Sequence, residues 1–381
     1  MRLQSKILQM IPRLLEHNIN NKLFKGKAII IVGARQTGKT TLLKTLFKSK
    51  EVLWLDADEQ DVREMFSNVS STQFKILFNN HKIIIIDEAQ RIEDVGLKFK
   101  LITDQLKDKQ LIATGSSSFD LTNKLNEPLT GRKWEYMLYP FSFAEMVNTN
   151  GLFEEKRLLN HRLIYGYYPD VVNNPGSEKE ILKQLTNSYL YKDILMWQNI
   201  KKPDKLVKLL QALALQLGNE VSYNELGKTI GLDNQTIEKY VQLLEKSFVI
   251  YRLRSFSRNL RTELKKSQKI YFYDNGIRNS LIANFNQINL RQDIGALWEN
   301  FIITERLKHT HYNNIWVNNY FWRTHSQQEI DYIEEYDGKL YAYEIKWNKK
   351  AKAFLPKTFS NTYNNTEFKI INQDNFIDFI V

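Results

Sequence analysis

Apolar runs of strand length recur along the first third of the chain, each stopped by small or polar residues. Ala28–Val32 is unbroken and runs into Gly33-Ala-Arg-Gln-Thr-Gly-Lys-Thr40, after which Thr41-Leu-Leu-Lys-Thr-Leu-Phe47 reads as the start of a helix. Ile83–Ile86 are four consecutive isoleucines that end at Asp87-Glu88. Uninterrupted runs of this kind predict strands buried on both faces, as in a parallel sheet covered by helices. Gln110–Thr114 predicts a third such strand, ending in Gly115-Ser-Ser-Ser118. Further on the spacing turns helical. Leu206–Leu217 is amphipathic, Ser222 stands three residues before Glu225 as a capping box, and Gly231 separates that helix from one at Asn234–Lys246, with Ile237, Val241 and Leu244 on one face. Near the carboxyl terminus the period becomes two. Glu329, Asp331 and Ile333 are predicted on one face of a strand, Tyr336–Lys339 turns, and Leu340, Ala342, Glu344 and Lys346 share a face of the returning strand.

The segment Gly33–Thr40 has the form G-x-x-x-x-G-K-[ST] between a predicted strand and helix, which is the context a phosphate-binding loop needs. Its glycines let the backbone N–H groups of Ala34, Arg35, Gln36 and Thr37 turn onto phosphates, with Thr41 continuing the cradle into the helix. Lys39 supplies a point charge and Thr40 a hydroxyl for Mg²⁺. Asp87 is the second candidate for the Mg²⁺ shell, and Glu88 the group that orients or deprotonates a water. Ser116 or Ser117 would meet the terminal phosphate. Arg132, on the turn Leu129–Arg132, has two readings: a guanidinium offered to a neighbouring subunit's phosphate, or a partner within its own chain.

Gly33–Thr40, Asp87–Gln90, Thr114–Ser118, Gly131-Arg132 and Tyr139–Glu145 together resemble a prokaryotic family of AAA-type ATPases. Tyr165–Asp170, Asp193-Ile194 and Gly295–Phe301 add further family landmarks, while Tyr167 stands where the family leads one to expect a second glycine. The resemblance implies an α/β fold: a P-loop parallel sheet over residues 1–147, a helical lid over 148–202 with Tyr189 and Asp193 on its last helix, a winged helix over 203–269, and a mixed α/β, restriction-endonuclease-like domain over 270–381.

At 381 residues there is material for more than one core, and with no cysteine there is neither a disulfide framework nor a thiolate zinc site, which suits a reducing cytoplasm. No stretch approaches the ~20 apolar residues that span a bilayer. Six histidines (His17, His81, His161, His309, His311 and His325) show no ligand spacing beyond the His309/His311 pair. The net charge of +11 favours an anionic partner, nucleic acid first and DNA within that. Basic residues gather between Lys246 and Lys269 (Arg252, Arg254, Arg258, Arg261, Lys265 and Lys266) among Tyr251 and Phe256, as a wing that would touch phosphates rather than read bases.

In the tail, Glu299 on the predicted helix Gly295–Lys308, Asp331, Glu344 and Lys346 follow an order that resembles a metal-dependent nuclease core. That resemblance implies a Mg²⁺ held by the carboxylates and a lysine that activates water; the other reading is a hairpin with paired charges. Two functions are thus expected. One is a Mg²⁺-dependent ATPase acting on or with nucleic acid, hydrolysis moving the lid, wing and tail. The alternative is a nucleotide-dependent signalling or protein-remodelling switch with a protein partner and a catalytically dead tail. A finger at Arg132 requires a homo-oligomer, whereas a switch works as a monomer.

Overall fold

The structure, a computed structural model, describes residues 10–48, 51–67, 69–116, 125, 128–197, 202–258, 267–324 and 326–381, with the backbone alone over 188–197. The sequence-predicted residues Ser117, Ser118, Arg261, Lys265, Lys266 and His325, and the side chains of Tyr189 and Asp193, lie outside this description. The described residues divide into two compact units, one within Pro12–Pro140 with Lys246–Phe248, the other within Phe141–Glu245 and Val249–Val381 with Met10 and Ile11.

The first unit is built on five strands: β1 (Ala28–Val32), β2 (Val52–Asp56), β3 (Ile83–Asp87), β4 (Gln110–Gly115) and β5 (Lys133–Met137). Their spatial order is β2-β3-β4-β1-β5 and every pairing is parallel. The isoleucine runs explain this placement. Ile29–Ile31 on β1 and Ile84–Ile86 on β3 are fully buried, as central strands covered on both faces must be. Because all five run the same way, their carboxyl ends share one edge of the sheet, where ligands of open α/β sheets collect.

The second unit opens with short helices over 143–173 and continues through Glu178–Trp197 and Pro203–Leu215. The helix pair Tyr223–Ile230 and Asn234–Lys246 forms where it was expected: the Ser222 hydroxyl accepts the Glu225 N–H at 3.4 Å, and Gly231 ends the first helix at φ 76°. Strands β6 (Glu220–Val221), β7 (Ile250–Ser255) and β8 (Gln268–Phe272) then join β9 (Asn318–Arg323), β10 (Glu329–Tyr336), β11 (Lys339–Ile345) and β12 (Thr366–Ile371) in one seven-stranded sheet of order β12-β11-β10-β9-β7-β8-β6. The sheet thus runs through the expected 269/270 boundary, since β7 pairs with β9 in parallel. Phe143, Trp298, Phe301 and Phe376 form its aromatic centre, with ring centroids 5.2–6.3 Å apart. Simple alternation fails on β10, where a bulge between Ile330 and Ile333 lets both face one core cluster with Leu340 and Ala342. Among the described residues no helix is long and apolar enough to cross a membrane.

Buried polar groups pin this unit together. Asp274 accepts the Tyr167 N–H at 2.6 Å and the Ile277 N–H at 3.1 Å, so Tyr167, where a glycine was expected, is held through its backbone while its ring stacks on Phe301. Glu305 accepts the Phe143 N–H at 2.7 Å and pairs with Lys308, which donates to the Phe141 carbonyl at 3.0 Å. Burial raises the Asp274 and Glu305 carboxyls above their ordinary range, against the pull of these donors and of Lys308. Gly276 is where two segments come closest: a Cβ there would lie 2.1 Å from the Tyr165 carbonyl oxygen. A backbone atom cannot rotate aside, so Gly276→Ala should cost about 1–3 kcal/mol of overpacking and lower the melting temperature of the second unit by several degrees in calorimetry.

Candidate functional site

The phosphate loop leaves the carboxyl end of β1, and its geometry rests on a close approach. A Cβ at Gly33 would meet the Leu138 carbonyl oxygen at 2.2 Å, so no other residue lets the loop pass the chain leaving β5. Gly38, at φ 92°, starts the helix Lys39–Leu46. Its first-turn N–H groups and the loop amides face the point where the positive end of the helix dipole lies. Lys39, 6 % exposed, donates to the Gly33 and Ala34 carbonyls at 2.8 and 2.9 Å. Thr37 closes the loop on itself by donating to the Ala34 carbonyl at 2.8 Å.

Asp87 ends β3 and gathers two hydroxyls. Thr40 donates to its Oδ2 at 2.7 Å, and Thr114 of β4 donates to its Oδ1. Thr40 and Asp87 therefore converge as a hydroxyl and a carboxylate, the hard oxygen set that Mg²⁺ prefers, and the residues fit that ion. Glu88 follows in the left-handed region, φ 49°, and its N–H donates to the Thr114 hydroxyl at 3.3 Å. A non-glycine residue held there signals local strain of the kind that concentrates at functional sites. Gln90 donates to Glu88 at 2.5 Å and to the Ser116 hydroxyl at 3.2 Å, joining the two predicted catalytic side chains. Sequence reading left Gln90 without a role.

Arg132 is elsewhere. Lys133 of β5 pairs with Ala28 of β1, so Arg132 stands at the amino edge of the sheet, a whole strand (roughly 16 Å) from the loop. Its Nε donates to Asp104 at 2.7 Å. Of the two readings, a partner within its own chain is the one seen, and its own phosphate loop is out of reach. Arg13, which sequence reading passed over, is at the loop instead. It is 7 % exposed and donates to the Thr37 carbonyl at 2.7 Å and to the Tyr139 carbonyl at 2.6 Å, clamping the loop to the chain that leaves β5. An isolated arginine ahead of a strand carries no motif that would have revealed this.

In the tail, the β10–β11 register places Asp331 opposite Glu344, one step beyond the Tyr332–Tyr343 pair. Lys346 lies 3.1 Å from Asp331 and 2.6 Å from Glu344, and the Ile345 N–H donates to Asp331 at 2.8 Å. Burial and then the Asp331 charge push the Glu344 carboxyl up to about 7. Glu299, on the helix Ile294–Tyr312, is also pushed up to about 7, by burial first and Asp331 after it. It faces Lys269 at 3.2 Å and the Tyr271 hydroxyl at 2.6 Å, both from β8. Lys269, taken from sequence as the end of the basic wing, is 1 % exposed and lies 2.5 Å from Glu329 as well. Among the described residues no three His, Asp or Glu side chains are grouped so as to hold a metal ion, and these acids instead pair with Lys269 and Lys346. The predicted Glu299–Asp331–Glu344 metal set does not fit. His309 also has another use, since its Nδ1 lies 3.3 Å from the Asn313 amide.

On the helix pair and β7 the basic residues divide. Arg252 pairs with Glu245 through its Nε at 2.7 Å, and Arg258 lies 3.7 Å from Glu335, while Lys228, Lys239 and Arg254 are exposed.

A parallel sheet with a phosphate loop after β1, an acidic pair after β3 and a further strand between them defines a P-loop nucleotide-binding protein. Comparison with known proteins places it within that class. Residues 25–147 match the family model described as AAA domain, and the chain carries a AAA-type P-loop ATPase domain. Residues 156–288 and 294–376 match two domains of unknown function, DUF8612 and DUF4143. An uncharacterized protein of Haemophilus influenzae is 28% identical over 283 residues, 67% of this chain and 69% of its own length. One of Mycobacterium tuberculosis is 24% identical over 337 residues, 86% of this chain and 72% of its own. Among solved structures, the Walker-type ATPase of Pyrococcus abyssi shares the fold, with a TM-score of 0.52 at 15% identity over 74% of this chain and 99% of that one.

Arg13 offers a direct test of the loop geometry. Lys in its place keeps the charge but cannot reach both carbonyls, so Arg13→Lys forfeits a charge-assisted bond worth about 1.5–3 kcal/mol. Calorimetric titration with ATP should show Kd raised about tenfold or more.

Proposed function

We propose that this chain hydrolyses ATP with Mg²⁺ and that the cycle serves work on or with nucleic acid, DNA foremost. The observation that carries the catalytic half is the 2.7 Å bond between Thr40 and Asp87, which brings the loop hydroxyl and the strand carboxylate to one point beside Lys39. Mg²⁺ bound there would neutralise charge on the phosphate oxygens. The loop amides and Lys39 bind and orient the triphosphate. Glu88 aligns the attacking water and accepts its proton, and Ser116 hydrogen-bonds on the terminal-phosphate side. Support for the nucleic-acid half comes from the +11 charge and from exposed Lys228, Lys239 and Arg254 on the helix pair and β7. Glu238 is exposed beside Lys239, which favours contact with phosphates over base reading. In this reading residues 148–202 act as a lid, 203–269 as a winged helix and 270–381 as the module whose position the cycle changes.

Lys39→Ala should lower ATP turnover at least about 100-fold, the scale of losing one preorganised charge. Wild-type turnover should rise with added duplex DNA at low salt and lose that stimulation as salt increases. A rate indifferent to DNA and RNA at every salt concentration removes the nucleic-acid half and leaves the ATPase.

One observation favours the second reading, a slow nucleotide-dependent switch acting on a protein partner. Gln90 holds the Glu88 carboxylate at 2.5 Å, and a glutamate bound this way is not free to align water. If Gln90 restrains turnover, Gln90→Ala should raise the steady-state rate several-fold with ATP affinity unchanged. A fall in rate would instead make Gln90 a positioning residue for Glu88.

A further inference from the structure

We propose that Lys269 is the resident cation of the tail's carboxylate cluster, an internal ammonium that joins β8 to the helix Ile294–Tyr312 and to β10 and takes the place a divalent metal would need. Two pairs of carboxylates stand here, Glu299 and Glu329 about Lys269, and Asp331 and Glu344 about Lys346, with Arg323 beside Glu329. Lys346 and Lys269 differ in kind. Lys346 sits two residues beyond Glu344 on the same chain segment, and its side chain is 34% exposed. Lys269 comes from a strand some sixty residues upstream and its side chain is 2% exposed, so its ammonium has no water to retreat to.

Sheet curvature delivers it. Strands β9 and β7 lie between β10 and β8 in the sheet order, a separation of roughly 14 Å if the sheet were flat. The sheet instead curls, so that Lys269 reaches Glu329 at 2.5 Å and Arg323 of β9 lies 3.6 Å from Glu220 of β6. Lys269 and Tyr271 alternate onto one face of β8 and both bond Glu299, the acid on the helix. The buried ammonium is held between two acids from different elements, Glu299 of the helix at 3.2 Å and Glu329 of β10 at 2.5 Å. A divalent ion entering between Glu299 and Asp331 would stand against this fixed positive charge, and expelling the ammonium would leave it buried and unpaired. The acids therefore latch the two halves of the sheet, and the latch is independent of whether the first unit turns over ATP.

The test is Mn²⁺ titration of the full chain without nucleotide, by calorimetry and by thermal melting. Any Mn²⁺ signal from Thr40 and Asp87 is common to all variants and cancels. Wild type and Asp331→Asn should give the same isotherm. Lys269→Met should gain one Mn²⁺ site and a Mn²⁺-dependent rise in melting temperature, both lost in Lys269→Met/Asp331→Asn. Mn²⁺ bound by wild type and lost in Asp331→Asn overturns the proposal, as does a folded Lys269→Met chain that gains no site. Should Lys269→Met not fold, the comparison of wild type with Asp331→Asn decides alone: equal isotherms support the latch and unequal ones overturn it.

Discussion

The carboxylate of Asp87 is the point on which the nucleotide site turns. It accepts from Thr40 on the phosphate loop and from Thr114 on β4, so three separate segments are tied by one acidic side chain. That convergence is available only because the sheet is parallel throughout. The carboxyl ends of β1, β3 and β4 then share an edge, and short polar side chains at those ends can meet. Gly33 supplies the remaining condition, a backbone that passes within van der Waals reach of the chain after β5.

A different economy holds the second unit. Its connections are made by buried charged and polar groups: Glu305 with Lys308, Asp274 with the Tyr167 and Ile277 amides, Arg162 with Glu155, and Lys269 with Glu299 and Glu329. Such pairs add little net stability over apolar packing, yet breaking one costs several kcal/mol because its partner is left buried and charged. They therefore pin the unit by fixing which segments meet. This gives a physical meaning to sequence landmarks that carry no chemistry. Ser142 and Glu145 form a capping box, Phe143 gives its N–H to Glu305, and Tyr167 lies on Phe301.

Legibility followed sequence distance. The loop, the acidic pair and the helix–turn–helix spacing are local patterns whose chemistry is decided within about ten residues, and the helix caps at Ser222 and Gly231 stand where the residues put them. Arg132 and Lys269 stand at the other extreme. Each is a basic residue next to a suggestive motif, and each is claimed by an acid far along the chain, Asp104 in one case and Glu299 with Glu329 in the other. Arg13 was silent because its partners are the backbone carbonyls of Thr37 and Tyr139, and Gln90 because, besides nearby Glu88, it meets Ser116 at the end of a different strand.

By itself the sequence determined the strand–loop–helix unit at Gly33–Thr40 and the burial of the isoleucine strands, because glycine geometry and continuous apolarity act locally. The short turn between Tyr336 and Lys339 set the register that puts Asp331 opposite Glu344, although the bulge on β10 breaks simple alternation. Which cation meets those acids was decided by the tertiary structure alone, since the curl that carries Lys269 over β10 arises from the twist and pairing of strands far apart in sequence.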